Sequence, residues 1–178
     1  MNRINVAGCT EKTTHGKRTG RDFYKTPRHA IVALLEREKF KGDIWECACG
    51  DGHISNVLEE YGYNVKATDI VTGVDFLKTN TPCENIVTNP PYNQCNDFLD
   101  HALQVATGKV AMLLRLKSLE TIDRYQRIWS QKKLKKVYQF VRRVQFTQKN
   151  GSMMAVAWFI WDQNYSGLPT LDWIVNEK

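Results

Sequence analysis

The sequence predicts an α/β domain with a mostly parallel sheet, helices on both faces and an antiparallel hairpin at the C-terminal end. Short apolar runs alternate with segments of helical period between residues 26 and 129, which is typical of strand–helix–strand units. Two more strand-like runs then follow without a helix between them. With 178 residues and 42% hydrophobic composition, the chain suits one domain with a single core.

The N-terminal region divides into an arm and a first helix. Residues 1–21 are polar, basic and without periodicity, so we expect a flexible arm and a single domain over residues 22–178. Thr26-Pro27 predicts a helix start, with the threonine as cap and the proline in the first position. Gly42 ends this element. Its apolar residues recur at helical spacing: Ala30, Ile31, Leu34 and Leu35.

The remaining elements alternate in the order expected for a parallel sheet. Asn150-Gly151 marks the turn of the C-terminal hairpin, since this dipeptide favours tight turns. The predicted elements are strand 44–47, helix 53–61, strand 64–70, strand 84–88, helix 95–106, strand 110–116, helix 119–129 and strands 137–144 and 153–161. No internal repeat or low-complexity linker interrupts them.

Composition excludes several classes of protein. The longest apolar stretch, Met153 to Trp161, is too short to span a bilayer, and no secretory signal opens the chain. The odd number of cysteines without a CxxC pair argues against a disulfide framework or a zinc site, so we expect no metal and reduced thiols in a cytoplasm. The five cysteines are Cys9, Cys47, Cys49, Cys83 and Cys95.

The chain is basic, with a net charge of +6 and a pI near 9.1. Clustered lysines and arginines attract phosphate backbones without reading sequence. A solvated basic face is the alternative interpretation of the same pattern. The candidate phosphate contacts are Lys132, Lys133, Lys135, Lys136, Arg142 and Arg143.

Three motifs at predicted strand ends suggest a ligand site, because open α/β sheets bind ligands at the carboxyl ends of their strands. Gly50 and Gly52 permit a sharp turn and close ligand approach, and Glu46 before them can pair with an ammonium group. Asp69 suits ribose hydroxyls, and Asp75-Phe76 could hold an adenine. No complete GxGxxG follows, which favours a nucleoside ligand without phosphates, such as S-adenosylmethionine.

Asn89-Pro90-Pro91-Tyr92 directly follows a predicted strand. The two prolines end the strand and leave backbone carbonyls available as hydrogen-bond acceptors. An amide before them and an aromatic ring after them fit a planar base that carries an amine. A surface turn with an asparagine cap remains the alternative for this motif alone.

Taken together and in this order, three segments resemble the amino-methylating DNA methyltransferases of the N6-adenine type. The segments are Asp22-Phe23-Tyr24-Lys25-Thr26-Pro27, Glu46-Cys47-Ala48-Cys49-Gly50-Asp51-Gly52 and Asn89-Pro90-Pro91-Tyr92. The resemblance covers residues 22–161 and is similar to small members encoded by phages and mobile elements. It implies a Rossmann-like class I methyltransferase fold, S-adenosylmethionine as cofactor and DNA as substrate.

The resemblance also implies roles for individual residues. Glu46 would bind the cofactor's amino group and Asp69 its ribose, while Asp75 would contact its adenine. Cys47 departs from the family, which commonly has proline there, so we expect weaker packing but no loss of binding. The implied cofactor residues are Tyr24, Thr26, Pro27, Glu46, Cys47, Gly50, Gly52, Asp69, Ile70, Asp75, Phe76 and Asn89.

For the target base, the resemblance implies that Asn89, Pro90, Pro91 and Tyr92 hold the amine. A base must leave the duplex to reach them, and Tyr92 and Phe146 are candidate stacking faces. A core or turn aromatic is the alternative for Phe146. Two alternative substrates stay open, RNA adenine and the amide of a protein glutamine. A catalytically inactive module that binds the cofactor or DNA is a further alternative. Cytosine N4 is less favoured, because serine often replaces the asparagine in that branch.

Overall fold

The computed structural model describes residues 24–131, 133–146 and 154–175. The predicted arm at 1–21, Lys132 and the Asn150-Gly151 turn lie outside the described residues. The helices and strands are α1 (Arg28–Leu35), β1 (Ile44–Glu46), α2 (His53–Glu60), β2 (Val65–Ala67), β3 (Asn85–Thr88), α3 (Cys95–Val105), β4 (Lys109–Arg115), α4 (Ile122–Arg127), β5 (Leu134–Phe140), β6 (Val156–Asp162) and β7 (Thr170–Ile174).

The strands form one sheet in the order β2-β1-β3-β4-β6-β5-β7. Neighbours β2-β1, β1-β3, β3-β4 and β5-β7 are parallel, whereas β6 runs antiparallel to both β4 and β5. The predicted parallel sheet and antiparallel β5-β6 pair are therefore confirmed. Strand β7 was not predicted, because Ile174 is its one buried residue while Leu171 and Trp173 are about half exposed. An edge strand with so little buried surface carries no clear apolar alternation.

Helices cover both faces of the sheet, as predicted. The apolar residues of α1 and α2 pack in one core with Val87 and Trp158, and those of α3 pack in a second core with Trp45 and Trp161. The Trp158 indole N–H donates to the Ala30 carbonyl oxygen at 2.8 Å, which joins α1 to β6. No helix among the described residues is long and apolar enough to cross a membrane.

The start of α1 differs from the prediction. Pro27 is the cap residue, with φ −71° and ψ 143°, and its carbonyl oxygen accepts the Ala30 N–H at 3.0 Å. Thr26 does not cap the helix, because its hydroxyl accepts a hydrogen bond from the Asn89 side chain at 3.1 Å. The threonine that local pattern assigns to the helix is used in a tertiary contact instead.

Candidate active site

A cavity of about 620 Å³ opens at the carboxyl ends of β1, β2 and β3. Its volume lies within the range of small-molecule and cofactor sites. Pro27, Gly52, Tyr92 and Phe146 do not belong to its described wall. The predicted residues that line it are Tyr24, Thr26, Glu46, Cys47, Gly50, Asp69, Ile70, Asp75, Phe76, Asn89, Pro90 and Pro91.

The glycine turn between β1 and α2 has a backbone that most residues avoid. Gly50 and Gly52 have φ of +51° and +79°, and a Cβ on Gly52 would lie 3.2 Å from Asn56 Oδ1. The turn is tied to the end of β2, because the Gly50 N–H donates to Asp69 Oδ2 at 3.0 Å. Asp69 Oδ1 accepts the Val71 N–H at 2.9 Å. Each carboxylate oxygen still has a second lone pair for a ligand hydroxyl.

Glu46 is the buried acid of the site, with 1% of its surface exposed. Its Oε2 accepts the Ser55 N–H at 2.6 Å. Burial raises the pKa of Glu46 from 4.5 to about 8, although the hydrogen bond from Ser55 acts in the opposite direction. The carboxyl group is therefore largely protonated at neutral pH, and a cation placed beside it would favour its ionised form.

Asp75 and Phe76 occupy the loop beyond β2. Asp75 Oδ1 accepts the Leu77 N–H at 3.2 Å, and a hydrogen bond from Lys78 lowers the pKa of Asp75. Phe76 lines the cavity but is 2% exposed and packs edge-on against Trp45 at 5.2 Å between ring centroids. Phe76 thus forms part of the cavity wall, and its contact with the core fixes its position.

One contact at the cavity was not predicted from the sequence. Lys25, which lines the cavity, forms an ion pair with Asp51 at 3.2 Å. The pair joins the segment before α1 to the glycine turn. Both residues lie inside recognised motifs, but only the fold reveals that the two motifs meet.

Asn89 follows β3 and has an asymmetric set of hydrogen bonds. Its Nδ2 donates to the Tyr24 carbonyl oxygen at 3.3 Å and to Thr26 Oγ1 at 3.1 Å. Its Oδ1 is buried and has no hydrogen-bond partner within the described residues. Buried polar atoms are almost always paired, so this acceptor is a candidate contact for a ligand that donates a proton.

The predicted stacking residues are covered by other side chains. Tyr92 and Phe146 are each 9% exposed. The Arg115 guanidinium lies over the Tyr92 ring at 4.4 Å from its centroid, and the Tyr24 ring lies 5.5 Å from Tyr92 and 5.6 Å from Phe146. In this structure neither Tyr92 nor Phe146 presents an open face to the cavity, so a base could stack there only after a side chain moves.

The predicted phosphate contacts separate into two groups. Lys133, Lys135 and Lys136 lie at the start of β5, level with Asp162 of β6 and with the start of β4. This edge of the sheet is opposite to the cavity, about 20 Å away for a seven-residue strand. Lys133 donates to the Gln163 carbonyl oxygen and Lys135 pairs with Asp162. These lysines therefore lie far from the cavity, and their role as phosphate contacts stays a prediction. Clustering in the sequence does not show the direction of a strand.

Arg142 and Arg143 follow the carboxyl end of β5, at the same edge as the cavity. Both are exposed. They remain candidate phosphate contacts.

Comparison of the fold with solved structures finds similar chains of low sequence identity. The chain has a TM-score of 0.60 and 11% identity with a Vibrio vulnificus protein provisionally described as the modification subunit of a type I restriction enzyme, over 81% of this chain and 45% of that one. It has a TM-score of 0.59 and 16% identity with a Listeria monocytogenes protein provisionally described as a class I S-adenosylmethionine-dependent methyltransferase, over 89% and 67% of the two chains.

A Pyrococcus horikoshii protein provisionally described as an RNA methyltransferase matches with a TM-score of 0.55 and 14% identity, over 78% and 85% of the two chains. The chain thus spans less than half of the Vibrio subunit but most of the Pyrococcus protein. At the level of sequence, no protein-family model and no curated protein matches it.

These similarities define the class of fold to which the chain belongs. It has the class I methyltransferase fold, which confirms the fold class that the sequence predicts.

Proposed function

We propose that this chain transfers a methyl group from S-adenosylmethionine to the N6 amine of adenine in DNA. The observation that supports this most directly is the Asn89 side chain. Its nitrogen is held by Tyr24 and Thr26, and its buried oxygen has no partner within the described residues although the residue lines the cavity. An acceptor held in this way suits a ligand amine.

The cavity residues fit S-adenosylmethionine. Glu46 supplies a buried carboxyl group for the methionine ammonium, and Asp69 supplies oxygens for the ribose hydroxyls. Asp75, Phe76 and the exposed Ile70 supply an acid and apolar surface for the adenine. When bound, the cofactor supplies an electrophilic methyl group on a sulfonium.

The protein's part in the reaction is to hold the amine. The Asn89 oxygen and the Pro90 carbonyl would each accept one N–H of the target amine. Because both hydrogens are then directed at acceptors, the nitrogen lone pair is less delocalised into the ring and can point at the methyl group. Positioning of this kind lowers the barrier without a covalent intermediate, so no cysteine is required.

DNA is the substrate that we favour among those that carry a planar amine. The order of the three motifs and the basic composition support it, and the similar Vibrio protein is described as part of a restriction enzyme. RNA adenine is the second candidate, since the Pyrococcus protein of similar fold is described as an RNA methyltransferase.

A methyl-transfer assay with labelled cofactor tests the proposal. Double-stranded DNA, single-stranded DNA, RNA and protein are supplied separately, and the modified nucleoside or residue is identified by mass spectrometry. N6-methyladenine in DNA supports the proposal. Label in RNA alone, in glutamine alone or in cytosine contradicts the proposed substrate. Cofactor binding without methyl transfer to any of these substrates would indicate a catalytically inactive binding module.

Exchange of Arg142 and Arg143 for alanine is expected to weaken DNA binding by a similar factor on all sequences. Each lost phosphate contact should reduce the slope of log Kd against log salt by about one. Binding is measured by fluorescence anisotropy at several salt concentrations. Lys133→Ala with Lys136→Ala is the matched control, since it removes the same charge from the opposite edge of the sheet. An equal loss in both double variants would contradict the assignment.

The chain is expected to have a short or relaxed sequence preference. The segments of these 178 residues that we expect to read base edges are short: the N-terminal arm, the region 119–129 and the segment near residues 145–152. Treated DNA is sequenced with a method that maps modified adenines. One long and strict motif would contradict the expectation.

A further inference from the structure

The ring of Tyr24 occupies the position expected for the target base. It lies 5.5 Å from the Tyr92 ring centroid, tilted by 32°, and 5.6 Å from the Phe146 ring centroid, at an interplanar angle of 67°. The backbone carbonyl of the same residue accepts a hydrogen bond from Asn89. Tyr24 therefore contacts Asn89, which the proposed function assigns to the target amine, and both rings that the sequence names as stacking faces.

Arg115 also contacts Tyr92 but lies in a different position from Tyr24. Arg115 covers the Tyr92 ring from the end of β4, and its guanidinium lies 4.4 Å from the centroid. Arg115 contacts the Tyr92 ring, whereas Tyr24 contacts both Tyr92 and Phe146. Tyr24 thus has a tilted contact with one aromatic ring and an edge-on contact with another. Proteins hold an unstacked base against aromatic side chains of this kind.

We propose that the Tyr24 ring occupies the space beside Tyr92 and Phe146 until an adenine replaces it. We call this space the base slot. This inference rests on the proposed function, since it assumes that the slot receives a base. The exchange requires little rearrangement. Rotation about χ1 of the half-buried Tyr24 moves the ring and leaves its carbonyl bonded to Asn89.

The filled slot has two consequences. It keeps Tyr92 and Phe146 packed in the absence of substrate, which agrees with their 9% exposure. It also makes the ring a competitor of the base, because a site that is open for only part of the time binds its ligand more weakly by that fraction.

The test uses single-stranded dA12 and dT12 as probes, with binding measured by fluorescence anisotropy. Tyr24→Ala is expected to tighten dA12 binding by about tenfold, the order expected when two aromatic contacts no longer compete, and to change dT12 binding less than twofold. Tyr24→Phe should match the wild type, since the ring is kept. Tyr24→Trp should weaken dA12 binding, because a larger ring fills the slot more fully.

Tyr63→Ala is the matched control. Tyr63 is also a half-buried tyrosine with one edge-on aromatic contact, to Phe40 at 6.0 Å, and it does not line the cavity. Its loss should leave the ratio of dA12 to dT12 affinity unchanged. A purely structural role for Tyr24 could weaken binding but could not tighten it for adenine alone.

Methyl transfer to dA12 at saturating cofactor distinguishes this inference from the proposed function. If the wild type methylates dA12, the KM for dA12 should fall by the same factor in Tyr24→Ala. Two results would overturn the base slot but not the proposed function. In the first, the wild type is active but Tyr24→Ala does not bind dA12 more tightly. In the second, Tyr24→Ala binds dA12 more weakly than Tyr24→Trp does. Absence of wild-type transfer to any adenine overturns the proposed function, and tighter dA12 binding by Tyr24→Ala would still support a base slot.

Discussion

Replacing Asn89 with alanine is expected to lower the methyl-transfer rate by about 10²–10³-fold or more, while cofactor affinity changes little. The Asn89 oxygen is the buried acceptor that would hold the target amine, and single groups that stabilise a transition state by hydrogen bonding contribute this much. The rate is measured in single-turnover experiments at saturating cofactor and DNA. Cofactor binding is measured separately by calorimetry.

A graded variant tests the geometry of the same site. Thr26→Val removes the hydroxyl that accepts from Asn89 Nδ2 but keeps the second bond, to the Tyr24 carbonyl oxygen. We expect a loss of about fivefold, because the amide is then held by one acceptor and a hydrogen bond contributes about 1 kcal/mol. Activity should therefore rank in the order wild type, Thr26→Val, Asn89→Ala.

Asn164→Ala is the control for this series, because Asn164 is exposed in the turn after β6, at the edge of the sheet away from the cavity. It should keep full activity. Full activity in Asn89→Ala would contradict the mechanism. A loss in Thr26→Val greater than that in Asn89→Ala would show that the hydroxyl has a role of its own.

Replacing Glu46 with glutamine is expected to weaken S-adenosylmethionine binding by about 10–100-fold at pH 8. The carboxylate would form a charge-assisted bond to the cofactor's ammonium, and such bonds contribute about 1.5–3 kcal/mol. Glutamine keeps the shape and an oxygen for the Ser55 N–H but cannot carry the charge. Calorimetric titration of the wild type and the variant measures the difference.

The affinity of the wild type should also depend on pH. Since the pKa of Glu46 is about 8, its carboxyl group must lose a proton to pair with the cofactor at lower pH. Affinity should then rise by up to about tenfold per pH unit towards pH 8. An α-ammonium has a pKa of about 8 and loses its charge above it, so the profile should be bell-shaped with a maximum near pH 8.

The Glu46→Gln variant should lack the rise in cofactor affinity on the acid side of that profile.

The stability of the free protein provides a second measurement. Because the folded pKa of Glu46 lies above its ordinary value of 4.5, the folded state binds this proton more tightly than the unfolded state. The residue should therefore lower the free energy of unfolding as pH rises from about 4.5 to about 8, by at most about 1.4 kcal/mol per unit.

Denaturant unfolding of the wild type and Glu46→Gln across this range measures the contribution as a difference. Glu59→Gln is the matched control, since Glu59 is exposed on the neighbouring helix α2. A wild-type affinity that does not change between pH 6 and pH 8 would contradict the role of Glu46.

About half of the residues of the cavity wall could be predicted from the sequence, and several of them directly follow strands. Glu46, Asp69 and Asn89 each stand at the carboxyl end of a parallel strand, and such ends meet at one edge of a sheet. The glycine turn is also local, since positive φ at Gly50 and Gly52 is a property of the residue type. The motifs that could be placed at the cavity are therefore those that lie at a strand end or in a turn set by its glycines.

The features that the sequence did not show depend on strand direction or on partners that are distant in the chain. Lys133, Lys135 and Lys136 cluster in the chain but lie at the far edge of the sheet, because β5 begins there. Thr26 has the pattern of a helix cap, yet its hydroxyl bonds to Asn89, 63 residues away. β7 has too little buried surface to show an apolar period. Local pattern contains no information on these contacts.

By itself, the sequence determined the α/β alternation, the strand-end motifs and about half of the residues around the cavity. Only the tertiary structure decided that Tyr24 contacts both Tyr92 and Phe146 and that burial raises the pKa of Glu46. It also decided that Asn89 has its nitrogen bonded and its oxygen without a partner among the described residues. Strand ends and turns follow from short-range steric and apolar patterns. Hydrogen-bond partners, ring contacts and proton affinities depend instead on groups that are distant in the chain and become neighbours only in the folded protein.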